Sequence, residues 1–226
     1  MQYEEILKRL NSLANPENVA GMARFGINSK GTLGISLYTL RPMAKEIGKD
    51  HKLALHLWKS GVHEARILAG MVGEPDKVTE KQMESWVKDI DSWDICDQVC
   101  SNLFDKTPFA YDKAVKWSSR EEEFVKRSGF VLMACLSVHD KKADDKVFES
   151  FFPIIKREVD DDRNFVKKAV NWALRQIGKR NLALNRKAVK VAKEIQKMDS
   201  KSARWIASDA LRELMGEKVQ KGLKKK

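Results

Sequence analysis

Trp93 and Asp97 stand four residues apart in the stretch Ser92-Trp93-Asp94-Ile95-Cys96-Asp97. On a helix that spacing puts both on one face. An aromatic wall beside a carboxylate is a chemistry that holds and stabilises a cation. Trp172 offers a second such wall: it follows Lys167-Lys168 and precedes Arg175 and Lys179-Arg180. An aromatic among basic residues can meet a sugar or base while the cations hold phosphates. Structural roles compete with these. Asp97 could pair with Lys126 or Arg127 between neighbouring helices, which would make Arg127 half of an ion pair rather than a phosphate clamp. Asp94 could be a helix-start carboxylate favoured by the macrodipole. Spacing leaves these alternatives open. Trp58, Trp86 and Trp117 read as core, where a Trp on an amphipathic helix usually packs.

Other chemistries fit poorly. Cys96 and Cys100 are four apart rather than in the CxxC spacing of zinc or redox sites, and Cys135 is left over. His63-Glu64 lacks the second His that a zinc-protease helix needs. No cofactor or metal is implied. No apolar run approaches the roughly 18 residues of a membrane span. The start, Met1-Gln2-Tyr3-Glu4-Glu5, has neither the basic stretch nor the apolar stretch of a signal peptide. A cytoplasmic protein in a reducing compartment is expected.

Charge points to a partner. The net charge is +11, yet residues 1–100 and 101–162 are slightly acidic, and residues 163–226 hold 19 Lys/Arg against 5 Asp/Glu. A basic field at one end is the electrostatic footprint of a polyanion partner such as nucleic acid. A basic tail over Lys218 to Lys226 alone would only aid solubility. Here the excess continues into the segments that carry helical periodicity.

The elements that must position these residues are helices. Apolar residues recur at helical spacing nearly throughout, and period-two runs are rare. Asn15-Pro16 predicts a helix start, with Asn15 as cap and Pro16 in the first turn. Ser36, Gly61, Gly73, Thr79, Asp91, Thr107-Pro108 and Ser200 mark further boundaries. Ser119 with Glu122 fits a capping box, and Gly26 to Gly34 reads as a loop. Phe124-Val125-Lys126-Arg127-Ser128 recurs as Phe165-Val166-Lys167-Lys168-Ala169, 41 residues on, and Ala173-Leu174-Arg175 recurs as Ala210-Leu211-Arg212, 37 residues on. A period near 40 with two helices per unit is the signature of HEAT-type arrays. The expected fold is an all-α, HEAT-like helical-repeat solenoid with a concave basic face. One continuous domain is expected over residues 1–215, with 216–226 as a flexible basic tail.

The chain resembles the AlkD-like HEAT-repeat DNA glycosylases of the DNA alkylation repair family, from about residue 20 to about 215. The resemblance rests on Met22-Ala23-Arg24-Phe25 continuing to Leu33-Gly34-Ile35, on His63-Glu64-Ala65-Arg66, and on Trp93-Asp94-Ile95-Cys96-Asp97. Phe124-Val125-Lys126-Arg127 and the run from Val166 to Arg175 match the two later repeats. It implies that Asp97 is the catalytic carboxylate, that Trp93 and Trp172 flank the lesion, and that Arg127 is the motif arginine on DNA. Lys126, Lys167, Lys168, Arg175, Lys179 and Arg180 would grip phosphates. Phe25 stands where active relatives often have Tyr, so a hydroxyl contact to DNA is lost. The loop Gly26-Ile27-Asn28-Ser29-Lys30-Gly31-Thr32 also departs from the family's aromatic and basic version. The implied partner is duplex DNA carrying alkylated bases, engaged by a monomer. The implied reaction is hydrolysis of the N-glycosidic bond of N3- or N7-alkylated purines. The rival expectation is a non-enzymatic module that binds damaged or branched DNA.

Overall fold

A computed structural model describes residues 2–225. Among the described residues there are only helices, turns and loops. The local chemistry explains many helix starts. Asn15 accepts the amide of Asn18 at 3.1 Å and Pro16 fills the first helical position. Thr79 caps through the amide of Gln82 and Ser200 through that of Ala203. The capping box expected at Ser119 and Glu122 does not form. Arg120 takes the Glu122 carboxylate at 2.5 and 3.1 Å, Ser119 donates back to the Lys116 carbonyl, and Glu122 itself becomes the cap residue.

Helix packing divides the chain into two compact units, Met1–Phe109 and Ala110–Lys226. The first contains α1 (Tyr3–Ser12), α2 (Pro16–Arg24), α3 (Leu37–Ile47), α4 (His51–Lys59), α5 (His63–Val72), α6 (Glu80–Asp89) and α7 (Trp93–Asn102). Helix α5 is its centre, packed against α3, α4 and α7. Eight of its ten residues are buried, which leaves it no solvent stripe and forces neighbours onto every side. Trp58 and Trp86 stack in this core with ring centres 4.1 Å apart, and the Trp58 indole donates to Asp89 at 2.9 Å.

The second unit contains α8 (Ala110–Trp117), α9 (Glu123–His139), α10 (Asp145–Glu149), α11 (Phe151–Arg157), α12 (Asn164–Gly178), α13 (Leu182–Ile195), α14 (Lys201–Leu214) and α15 (Glu217–Leu223). Within it α12 lies between α9 and α14, and these three form one layer. Helices α8, α11 and α13 back them as the other layer. Helix α9 is buried without a break from Val125 to Ser137. Gly129 permits the close approach of α8, because a Cβ there would sit 2.5 Å from the Ser118 amide nitrogen. The sequence repeat is visible as contact: Phe124 and Phe165, 41 residues apart, stack with ring centres 5.7 Å apart. Trp117 is buried, as its place on an amphipathic helix implied.

The C-terminal segment expected as a tail carries α15. Leu223 is buried, and Gln220 donates to Asn185 and to the Leu214 carbonyl. One apolar residue in a lysine-rich segment is enough to dock a short helix. Among the described residues no helix is long and apolar enough to cross a membrane.

Candidate functional site

In the first unit, α7 presents the residues singled out by spacing. Asp94, Ile95, Cys96, Val99 and Cys100 face the core, while Trp93 and Asp97 lie on the partly exposed side. The Trp93 indole N–H donates to the Phe25 carbonyl at 3.1 Å. Its ring orientation is therefore tied to the loop that follows α2. Phe25 follows the last residue of α2 and is 74% exposed, so its ring faces solvent and not the core.

That loop is bound at several points. Asn28 bonds through its amide nitrogen to the Ser92 hydroxyl at 2.9 Å and through its side chain to Asp91 at 2.7 Å. Glu64 accepts the backbone amides of Leu33, Gly34 and Ile35 at 2.8–3.1 Å. It is fully buried, so these donors replace the water its carboxylate would otherwise have. Gly34 has φ +81°, and a Cβ there would stand 2.3 Å from the Asn15 carbonyl oxygen; only glycine fits. His63 bonds Asp94 at 2.8 Å, and both are buried. The other Asp94 oxygen is buried without a hydrogen-bond partner among the described residues. Asp94 thus belongs to the helix start and to an α5–α7 tie. Beside these residues lies an open cavity of about 620 Å³ bordered by Phe25, Ile35, Ile67, Trp93 and Asp94.

In the second unit, Trp172 is partly exposed on α12, one turn after the exposed Lys168 and one before Arg175. The other expected cations divide into two sets. Lys126 is buried, its ammonium 2.7 Å from Glu158 and 3.4 Å from Asp161. Arg175 and Lys179 both bind Glu213 across to α14. Arg180 donates to the carbonyls of Ser137 and Ala143 and lies 4.3 Å over the Phe148 ring. The charge of these four is engaged within the fold, by carboxylates, backbone carbonyls and, for Arg180, a ring. Arg127 is 5% exposed, with one guanidinium nitrogen on the Phe165 carbonyl at 2.6 Å. Lys168 remains open to solvent, and Lys167 sits 5.3 Å over the ring of Trp205, itself 41% exposed.

A family model for DNA alkylation repair enzymes matches residues 6–214. The chain belongs to that family. A curated relative, the uncharacterized protein Lin0241 of Listeria innocua, is 22% identical over 200 residues, 87% of each chain. One solved structure is similar over 94% of this chain and 95% of its own, with TM-score 0.79 and 21% identity. It is described as representing a new family related to the HEAT-like repeat DNA glycosylases with affinity for branched DNA structures. The shared fold is the HEAT-like helical repeat that the period near 40 indicated.

In this member of the DNA alkylation repair family, two features were not legible in the sequence. Trp205 was not singled out, although its distance of 38 residues from Lys167 repeats the spacing of Asn171 to Asp209. His63 and Glu64 showed no metal spacing, and their partners lie about 30 residues away. No local pattern announces such bonds.

Proposed function

We propose that this protein is a DNA glycosylase that releases positively charged N3- or N7-alkylated purines from duplex DNA. The observation that carries the reading is the placement of Trp93 and Asp97 together on the open side of α7 in a member of the DNA alkylation repair family. Alkylation at N3 or N7 gives the purine a formal positive charge, so its glycosidic bond is already weak. As the base departs, positive charge develops on the sugar. Asp97 stabilises that charge electrostatically and orients the attacking water. Trp93 attracts the cation through its ring face. Lys167, Lys168 and the exposed Phe25 serve DNA contacts, while Arg127, buried and bonded to the Phe165 carbonyl, holds α9 to α12. A cationic base needs no general acid, so one carboxylate suffices, unlike sugar hydrolysis with its two.

The test is base release from duplexes carrying N7-methylguanine or N3-methyladenine, with a uracil duplex beside them. Release of the cationic bases and none of uracil is expected. A preparation that binds DNA and releases neither cationic base would contradict the reading.

A second reading has its own support. The similar solved protein is described by its affinity for branched DNA, and four of the expected phosphate-gripping cations serve the fold here. In that case the protein binds four-way junctions more tightly than duplexes and leaves every base attached.

A further inference from the structure

The basic excess of the C-terminal 64 residues is not used where the site was expected. On α12, Arg175 and Lys179 are neutralised by Glu213 and Arg180 lies against Asp145. On α13 the opposite holds. Arg186, Lys190, Lys193 and Lys197 fall at i, i+4, i+7 and i+11, so they form one stripe along α13 and its last turn, and all four are exposed. Among the described residues none of them forms an ion pair. The nearby carboxylate of Glu194 is bonded by Lys156 at 2.9 Å and also feels the charge of Lys190 and Lys197, so it offsets the stripe only in part.

Direction separates this stripe from the face that carries Trp172. Leu184, Asn185, Ala188, Ala192 and Ile195 are the buried positions of α13, and the face they form lies across the helix axis from the four cations. They pack toward α12 and α14. The stripe therefore points away from the layer formed by α9, α12 and α14. Trp172 and Lys168 occupy the side of α12 opposite its own buried residues Val166, Ala169, Val170 and Ala173. The two faces are therefore directed to opposite sides of this unit.

We propose that the outer face of α13 is a second duplex-DNA surface, so that one molecule holds two duplex segments. The inference rests on the reading of DNA as the partner, but not on base release. Eleven residues of helix cover about 16 Å. One strand of B-DNA presents a phosphate about every 3.4 Å of axis, so the stripe spans about five phosphates. An anionic membrane fits less well, because interfacial helices need bulky apolar residues beside their cations. Beside this stripe Leu182 is the one exposed bulky apolar residue among the described residues of α13, Ala183 and Gln196 are exposed, and Val189 is half-buried.

The experiment uses the full chain, a short unmodified duplex, and the variant R186Q/K190Q/K193Q/K197Q. All four sites are exposed, so the variant's thermal melt should match wild type; Arg186→Glu alone provides a milder second variant. At low salt, wild type should take up two duplexes per molecule and the fourfold variant one, with Arg186→Glu weakening the second site. The slope of log affinity against log salt at that site should reach three to four in wild type, from about 0.9 per phosphate contact. One duplex per wild-type molecule, or two on the variant with the slope unchanged, would overturn the proposal. So would uptake of phosphatidylserine vesicles that depends on the stripe while duplex binding does not. Lack of base release would defeat the glycosylase reading and leave these results standing.

Discussion

At the scale of single residues, the pair on α7 was legible because helical spacing is a local property. Trp93 and Asp97 are four apart, and the intervening Asp94, Ile95 and Cys96 turn inward. What was not legible is which cations are already used. Lys126 stands in the same local pattern as Lys167, yet its partners Glu158 and Asp161 are more than 30 residues away. Lys126→Met would take one cation from a buried network in which Arg157 still meets Glu158 and Arg163 still meets Asp161, a loss of about 1.5–3 kcal/mol for a charged hydrogen bond. Lys126→Met should accordingly lower the melting temperature strongly while leaving the salt dependence of DNA affinity unchanged. A variant of normal stability with a reduced salt slope would return Lys126 to the DNA. Trp205→Ala is the converse case. It should keep its stability within about 1 kcal/mol, since the ring is partly exposed, and should weaken DNA binding in a titration. Unchanged affinity would leave Trp205 as a support for Lys167 only.

At the scale of elements, the helix starts at Asn15-Pro16, Thr79 and Ser200 could be read because a cap and its donor lie within three residues. The failed capping box at Ser119 shows the limit: Arg120, one residue away, competes for the same carboxylate. Two further tests belong here. Gly34→Ala should destabilise the loop that carries Phe25, because both its φ and the Asn15 carbonyl exclude a Cβ; hydrogen exchange of Leu33 to Ile35 should quicken, and unchanged protection would count against this account. The second concerns acid. Burial works to raise the carboxyls of Asp161 and Glu213, but bonds from Arg163 to the first, and from Lys179 and Arg175 to the second, hold both below their ordinary values of 3.8 and 4.5. Carboxylates depressed in the folded state contribute stability above their unfolded values and lose it as pH falls through the folded ones. Stability should therefore decline below about pH 4.5, and Glu213→Gln should be less stable than wild type at neutral pH and converge with it in acid. Parallel curves at all pH values would show that the Glu213 bridge contributes nothing.

At the scale of the whole molecule, composition and period told most. A period near 40 indicated the HEAT-like repeat, and the one-sided charge indicated a polyanion. Neither told which helix offers its cations to solvent, because that depends on carboxylates from other repeats. On the proposed reading, Asp97 makes this family member an enzyme. Its most direct test is single-turnover release of N7-methylguanine from a saturated duplex by wild type and Asp97→Asn, with DNA affinity measured on the same preparations. The expected result is release by wild type, a loss on the order of 10²-fold or more in the variant, and equal affinity in both. Equal release by the two proteins, or none by a wild type that binds the duplex, would contradict it.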